Sequence, residues 1–119
     1  MGPRVLIVND NDDGLFLLRH AVAKEAPDAV LLECKGANLA LTLLESQPVD
    51  AIITDNRMPD MSGIAMVRAI RLHDPTTPIL MITGSPEAEA EALAAGVTIF
   101  VGGGTWDEIR GKIRALILN

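Results

Sequence analysis

The sequence predicts an α/β domain in which one sheet of five parallel strands is covered by helices on both faces. Short apolar runs recur five times at a regular interval, and the segments between them carry apolar residues at helical spacing. The first, third and fourth runs lack polar alternation, which is typical of strands buried on both faces of a parallel sheet. A chain of 119 residues suits one domain, predicted here over residues 1–119.

The apolar runs are the predicted strands. Most of their residues are Val, Ile, Leu or Met, and aromatic residues make up only 3% of the chain, so the predicted core is aliphatic. The strands are predicted at residues 4–8, 29–33, 50–54, 78–83 and 98–101.

The segments between the strands are predicted helices because their apolar residues recur at steps of three and four. Start signals support them: Ser62 precedes the third helix, Ser85 is followed by Pro86, and Thr105 with Glu108 has the spacing of a capping box. The predicted buried stripes are Leu15, Leu18 and Val22; Leu39, Leu43 and Leu44; Ile64, Val67 and Ile70; and Ile109, Ile113, Leu116 and Ile117.

Strict alternation of strand and helix predicts right-handed crossovers and a doubly wound (βα)5 sheet, since a closed barrel would need eight units. The expected strand order is flavodoxin-like, 2-1-3-4-5. In such sheets the functional groups collect beyond the carboxyl ends of the strands.

Composition excludes several classes of function. A net charge of −6 argues against a nucleic-acid-binding surface and against adhesion to an anionic membrane. The apolar runs are far shorter than the roughly 20 residues that a membrane helix needs. Cys34 is the only cysteine, so no internal disulfide is expected, which fits a reducing compartment. These features predict a cytoplasmic protein with no membrane segment.

Polar side chains follow three strands that the predicted order makes neighbours. Asp10 follows the first strand, Asp55 follows the third, and Thr83 ends the fourth. Two carboxylates held together repel, and Mg²⁺ is the hard cation that best relieves this repulsion while keeping waters for a phosphate to displace. A carboxylate beside such an ion acts as a nucleophile toward phosphorus, and Thr83 would donate to a phosphoryl oxygen.

A phosphatase is an alternative class of function. Asp10-Asn11-Asp12 resembles the Asp-x-Asp of haloacid-dehalogenase-like phosphatases, but Gly14 stands where those enzymes have Thr or Val. The chain also lacks room for the further loops that they need, so the sequence predicts a protein that is not an enzyme. Asp12 and Asp13 suit the start of a helix, where the helix dipole favours acidic residues.

From Val5 to Leu118 the chain resembles the receiver domain of two-component response regulators. The most specific match is Asp-Ala-Ile-Ile-Thr-Asp-Asn-Arg-Met-Pro-Asp-Met-Ser-Gly at residues 50–63, which resembles the phosphoacceptor strand and its Met-Pro loop. Ile-Leu-Met-Ile-Thr-Gly at residues 79–84 is similar to the fourth strand with its switch threonine.

The resemblance implies a role for each matching residue. Asp55 would accept a phosphoryl group from a histidine kinase or a phosphotransfer protein, and Asp10 and the backbone carbonyl of Arg57 would bind Mg²⁺ beside it. Thr83 and the aromatic Phe100 would shift on phosphorylation. The change would be passed to an effector protein, and the surface of helix 4, strand 5 and helix 5 would serve for homodimers.

Two positions depart from the family pattern. Asn9 stands where an acidic residue is usual, so it would reach the ion only through water. Gly103 stands where the family has a lysine that bridges the phosphoryl group and the acceptor, and Arg57 is the best replacement for that cation. The alternative function is therefore a degenerate receiver that binds a partner without phosphorylation.

Overall fold

The computed structural model describes residues 2–118. It contains five strands, five α-helices and a 3-10 turn at Pro86–Ala88. The strands are β1 (Arg4–Val8), β2 (Val30–Cys34), β3 (Ala51–Thr54), β4 (Ile79–Thr83) and β5 (Ile99–Gly102). The helices are α1 (Asp12–Glu25), α2 (Ala37–Ser46), α3 (Gly63–Arg71), α4 (Glu89–Ala95) and α5 (Trp106–Leu118). Each predicted strand lies within one residue of an observed one.

All strands pair in parallel in the order β2-β1-β3-β4-β5, which confirms the predicted topology. The two faces of the sheet carry separate cores. One core joins the sheet to α1 and α5, and includes Val5, Ile53 and Ile113. The other joins it to α2, α3 and α4, and includes Ile52 and Met81. Burial on both faces explains why the central strands are continuously apolar.

The predicted stripe on the second helix is wrong at Leu39, whose side chain is 63% exposed. Helix α2 instead buries Ala37 and Ala40 completely and half-buries Leu41 and Leu44. These four residues follow the helical steps of three and four, so the buried face is shifted from the one predicted. Alanine lets the helix lie close to the sheet, which no large side chain at those two positions would permit.

The predicted helix starts have different outcomes. Ser62 caps α3, because its hydroxyl accepts from the Ala65 amide at 3.1 Å. Thr105 accepts from the Glu108 amide at 3.2 Å, and this is the only half of the capping box present within residues 2–118. The prediction that Ser85 caps a helix is wrong, because a 3-10 turn precedes α4 and the Ser85 side chain makes no capping bond.

The fold of residues 2–118 adds two facts about the predicted domain. The described residues contain no helix that is long and apolar enough to cross a membrane. Cys34 is a buried free thiol at the end of β2, and desolvation by burial raises its pKa. The predicted domain over residues 1–119 also includes Met1 and Asn119, which lie outside the described residues.

Candidate functional site

The site forms where β1 and β3 end side by side. Val8 pairs with Thr54 in the sheet register, and the amide of Asp55 donates to the Val8 carbonyl at 3.1 Å. Asp55 therefore stands directly beyond the sheet, and Asp10 follows two residues after Val8 on the neighbouring strand. The parallel register alone brings these two carboxylate residues to the same edge.

Asp55 is half-buried and its backbone is held on both sides. The Thr54 hydroxyl donates to the Asp55 carbonyl at 2.7 Å, and Thr54 itself is fully buried. The carboxylate accepts from the Asn56 amide through Oδ1 at 2.6 Å. Within residues 2–118 no hydrogen bond reaches the other carboxylate oxygen, Oδ2, which is therefore available to a reactant.

Asn56 fastens the start of α3 to the Asp55 loop. Its carbonyl accepts from the Gly63 amide at 2.8 Å, and its side-chain Oδ1 accepts from the Ile64 amide at 3.0 Å. A Cβ atom on Gly63 would lie 2.2 Å from the Asp55 carbonyl oxygen. Only glycine permits this approach, so α3 begins in direct contact with Asp55. The sequence offered no signal for the role of Asn56.

Thr83 ends β4 and is 6% exposed. It lines a cavity of about 200 Å³ together with Asp55, Arg57 and Ser85. Its hydroxyl accepts from the Ser85 amide at 3.3 Å, a long bond that leaves the hydroxyl hydrogen free to donate. The structure thus brings Asp55, Arg57 and Thr83 to one cavity.

Asp10 lines an adjoining cavity of about 470 Å³ with Arg57, Met58 and Pro59. Arg57 is the residue that the two cavities share. Asn9 lines neither cavity, and its side-chain oxygen already accepts from the Asn11 amide at 2.9 Å. The oxygen keeps a second lone pair, and the amide nitrogen two donors, for the predicted contact with a hydrated ion.

The donor set at this edge fits Mg²⁺. Residues 2–118 contain no group of three or more His, Cys, Asp or Glu side chains that could hold a metal. What the site offers is the carboxylates of Asp10 and Asp55, with the Arg57 carbonyl in the loop between the two cavities. Mg²⁺ accepts one or two carboxylates and keeps several waters, so this small set of hard oxygen donors suits it.

Phe100 lies away from the two cavities. It pairs with Met81 in the middle of the β4–β5 ladder and packs, half-buried, against the core beside α2, α3 and α4. Its connection to Thr83 runs through β4 and β5, whose register pairs Thr83 with Gly102. A Cβ atom on Gly102 would lie 3.0 Å from the Phe100 ring, so the ring contacts the end of its own strand.

The glycine run after β5 supplies no cation. Gly103 and Gly104 have φ angles of 100° and 104°, in the left-handed half of backbone space that favours glycine. A Cβ atom on Gly103 would meet nothing within 4 Å, and neither residue lines the two cavities. A lysine at position 103 would therefore be held in a strained backbone conformation.

Asp60 is a site-loop residue that the sequence reasoning missed. Its carboxylate accepts from the Asn38 amide at 2.8 Å and from the Ala37 amide at 3.3 Å, at the start of α2. Gly36, the residue at the cap position, has no side chain to do this. The Asn38 bond, more than any other contact, lowers the pKa of Asp60. The Asp55–Asp60 loop is thereby tied to α2.

Curated relatives align with most of the chain. The response regulator protein PilR of Pseudomonas aeruginosa is 34% identical over 96% of the chain, and the regulatory protein AtoC of Escherichia coli is 33% identical over 82%. The chain spans only 25% of PilR and 21% of AtoC.

Solved structures share the fold. The chemotaxis response regulator CheY4 of Vibrio cholerae superposes with a TM-score of 0.85 at 26% identity, covering 98% of this chain and 99% of its own. TrrA of Thermotoga maritima, a response regulator solved in complex with Mg²⁺ and beryllofluoride, superposes with a TM-score of 0.86 at 23% identity, with coverage of 98% and 99%.

The family model of the response regulator receiver domain matches residues 5–102, which include every residue of the two cavities. With the predicted strand order confirmed, the chain belongs to the receiver domain family of two-component response regulators.

Proposed function

We propose that Asp55 accepts a phosphoryl group from a histidine kinase or a phosphotransfer protein, and that the phosphorylated state is relayed by a conformational change. The observation that carries the proposal is the cavity that Asp55 and Thr83 line together, with Asp10 in the adjoining one. We take residues 1–119 as a single receiver domain that acts as a signalling module and not as an enzyme.

The transfer is a displacement at phosphorus. The Oδ2 oxygen of Asp55 attacks the phosphorus of a phosphohistidine, a P–O bond forms, and the P–N bond breaks with its electron pair left on the imidazole nitrogen, which takes up a proton. With acetyl phosphate as donor the leaving group is acetate. Hydrolysis of the acyl phosphate returns the Asp55 carboxylate and inorganic phosphate. Because Oδ1 is bound to the Asn56 amide, the carboxylate is already oriented for the attack.

Mg²⁺ would neutralise the charge of the phosphoryl oxygens when bound. Asp10, Asp55 and the carbonyl of Arg57 would hold it, and Asn9 would reach it through a water. Thr83 would donate its free hydroxyl hydrogen to a phosphoryl oxygen and give up the long bond from Ser85. The movement would pass along β4 and β5 to Phe100 and from there to the surface of α4, β5 and α5.

The named relatives support this assignment. PilR is a response regulator and AtoC a regulatory protein, and TrrA was solved with Mg²⁺ and beryllofluoride, a mimic of a phosphoryl group. By analogy, the partners would be a kinase or phosphotransfer protein and a downstream effector in the cytoplasm, with a homodimer through α4, β5 and α5 as a further expectation. We expect neither a nucleic acid nor a membrane among the partners.

The second candidate is a receiver that binds its partner without phosphorylation. Asn9 and Gly103 favour it, since the first adds no charge and the second belongs to a loop without a cation. The preserved Asp55, Asp10 and Thr83 favour the phosphorylated form, because a receiver that no longer takes phosphate has no need of them.

Phosphorylation is tested by intact mass. The protein is incubated with acetyl phosphate with and without Mg²⁺, beside Asp55→Asn and the control Asp28→Asn, an exposed carboxylate outside the two cavities. We expect one phosphoryl group on the wild type and on the control, only with Mg²⁺, and none on Asp55→Asn. No mass gain on the wild type would favour the second candidate, and an equal gain on Asp55→Asn would refute the acceptor assignment.

A further inference from the structure

We propose that the guanidinium of Arg57 binds the phosphoryl group and supplies the positive charge that the site otherwise lacks, which rests on the proposed function. Arg57 is the second residue after Asp55, and it forms part of the wall of both cavities. It borders the acceptor and Thr83 in one cavity and Asp10 in the other. Arg57 therefore borders the cavity that a phosphoryl group on Asp55 would enter.

Charge bookkeeping shows why a cation is needed. The carboxylates of Asp10 and Asp55 balance one divalent cation. Phosphorylation converts the Asp55 carboxylate into an acyl phosphate with a total charge of roughly −1.5 to −2 at neutral pH, which is about 0.5 to 1 more negative charge than the carboxylate had. The site would then be left with a net negative charge unless another group offset it. An arginine suits this task, because its planar guanidinium donates two parallel hydrogen bonds to phosphoryl oxygens and stays protonated.

Arg57 is free to perform this role. Every other arginine in residues 2–118, and Lys35 as well, donates to an oxygen elsewhere in the molecule. Of the remaining lysines, Lys24 lies in the last turn of α1 and Lys112 lies on the exposed surface of α5. Within the described part of the chain, the Arg57 side chain is exposed and makes no hydrogen bond or ion pair.

The test separates the charge of Arg57 from the position of its loop. Calorimetry gives the affinity for Mg²⁺ alone, and then the affinity for beryllofluoride with Mg²⁺ saturating, for the wild type, Arg57→Gln, Arg57→Lys and the control Lys112→Gln. The two glutamine variants each lose one positive charge, but only one loses it at the site. The backbone carbonyl of residue 57 is present in all of them.

We expect Arg57→Gln to bind beryllofluoride about 10- to 150-fold more weakly, the loss of one charge-assisted contact. Its affinity for Mg²⁺ alone should be unchanged or higher, because a neighbouring positive charge is gone. Arg57→Lys should keep part of the affinity, and Lys112→Gln should equal the wild type. A displaced loop would instead weaken Mg²⁺ and beryllofluoride together.

Each adverse outcome has a distinct meaning. Beryllofluoride affinity of Arg57→Gln within threefold of a wild type that binds would overturn the role of Arg57 alone. Parallel weakening of both ligands would overturn it as well, in favour of a purely structural residue. A wild type that binds no beryllofluoride at all would overturn the proposed function, and the role of Arg57 with it.

Discussion

Replacing Gly63 by alanine should destabilise the protein and, if Asp55 is phosphorylated as proposed, slow that reaction. The added methyl would stand 2.2 Å from the Asp55 carbonyl oxygen and 2.9 Å from the Asn56 Cα. An ordinary carbon–oxygen contact is about 3.3 Å, so either the backbone of Asp55 or the start of α3 must move away by roughly 1 Å. Neither obstacle is the tip of a flexible side chain, so the backbone itself has to move.

The magnitude follows from two opposed effects. Overpacking a tight contact costs about 1–3 kcal/mol, and the preference of a helix for alanine over glycine returns at most about 1 kcal/mol. Since the obstacle is backbone, we expect a net loss of about 2 kcal/mol in the free energy of unfolding. A misplacement of about 1 Å at a reacting group costs about 100-fold in rate, so phosphorylation of Asp55 should slow by about that factor.

Gly111→Ala is the matched control, because Gly111 lies in α5 and a Cβ atom there would meet nothing within 4 Å. The free energy of unfolding of this variant should rise by roughly 0.5–1 kcal/mol, because alanine is preferred to glycine within a helix. Its Asp55 should be phosphorylated at the wild-type rate. Urea unfolding gives the free energies, and intact mass over time with acetyl phosphate gives the rates. Surface substitutions usually change the free energy of unfolding by less than about 0.5 kcal/mol. A change this small for Gly63→Ala would show that the close contact is not rigid and would refute the reasoning.

Two further variants probe the loops beside the site. Asp60→Asn should lower the urea midpoint at neutral pH. The folded state lowers the pKa of Asp60, so the ionised carboxylate stabilises the fold at pH values above its ordinary pKa of 3.8. The difference in stability between the wild type and the variant should therefore vanish as the pH falls below that value. A difference that did not change with pH would contradict the capping role. Gly103→Lys should cost about 1–2 kcal/mol by urea unfolding, since a side chain is strained at a φ of 100°; an unchanged midpoint would show that the loop adapts.

The sequence was sufficient for the strands because their signal is strong and local. Continuous apolar runs such as residues 79–82 are best accommodated in a sheet that is covered on both faces. Helix faces were less secure. The predicted stripe of α2 rested on its leucines, but the fully buried Ala37 and Ala40 mark the face that meets the sheet, and Leu39 points away from it. A pattern that weights large residues cannot detect a face chosen for close approach.

The start of α4 was mispredicted for a related reason. Ser85-Pro86 has the composition of a helix start, yet the Thr83 hydroxyl engages the Ser85 amide, and a 3-10 turn intervenes before α4. Helix α4 therefore begins only at Glu89. Caps supplied by distant residues are equally invisible in sequence: Asp60 caps α2 across 22 positions in the chain.

The sequence by itself determined the topology and the edge of the sheet at which the candidate site lies. Strand alternation places Asp10, Asp55 and Thr83 after neighbouring strands, and this requires no knowledge of side-chain positions. Only the tertiary structure decided how these residues are arranged. It showed that Asn56 holds one oxygen of Asp55, that the glycine run follows a backbone path hostile to lysine, and that Arg57 borders both cavities. Such facts depend on distances of a few ångströms between loops, which residue types and spacing do not encode.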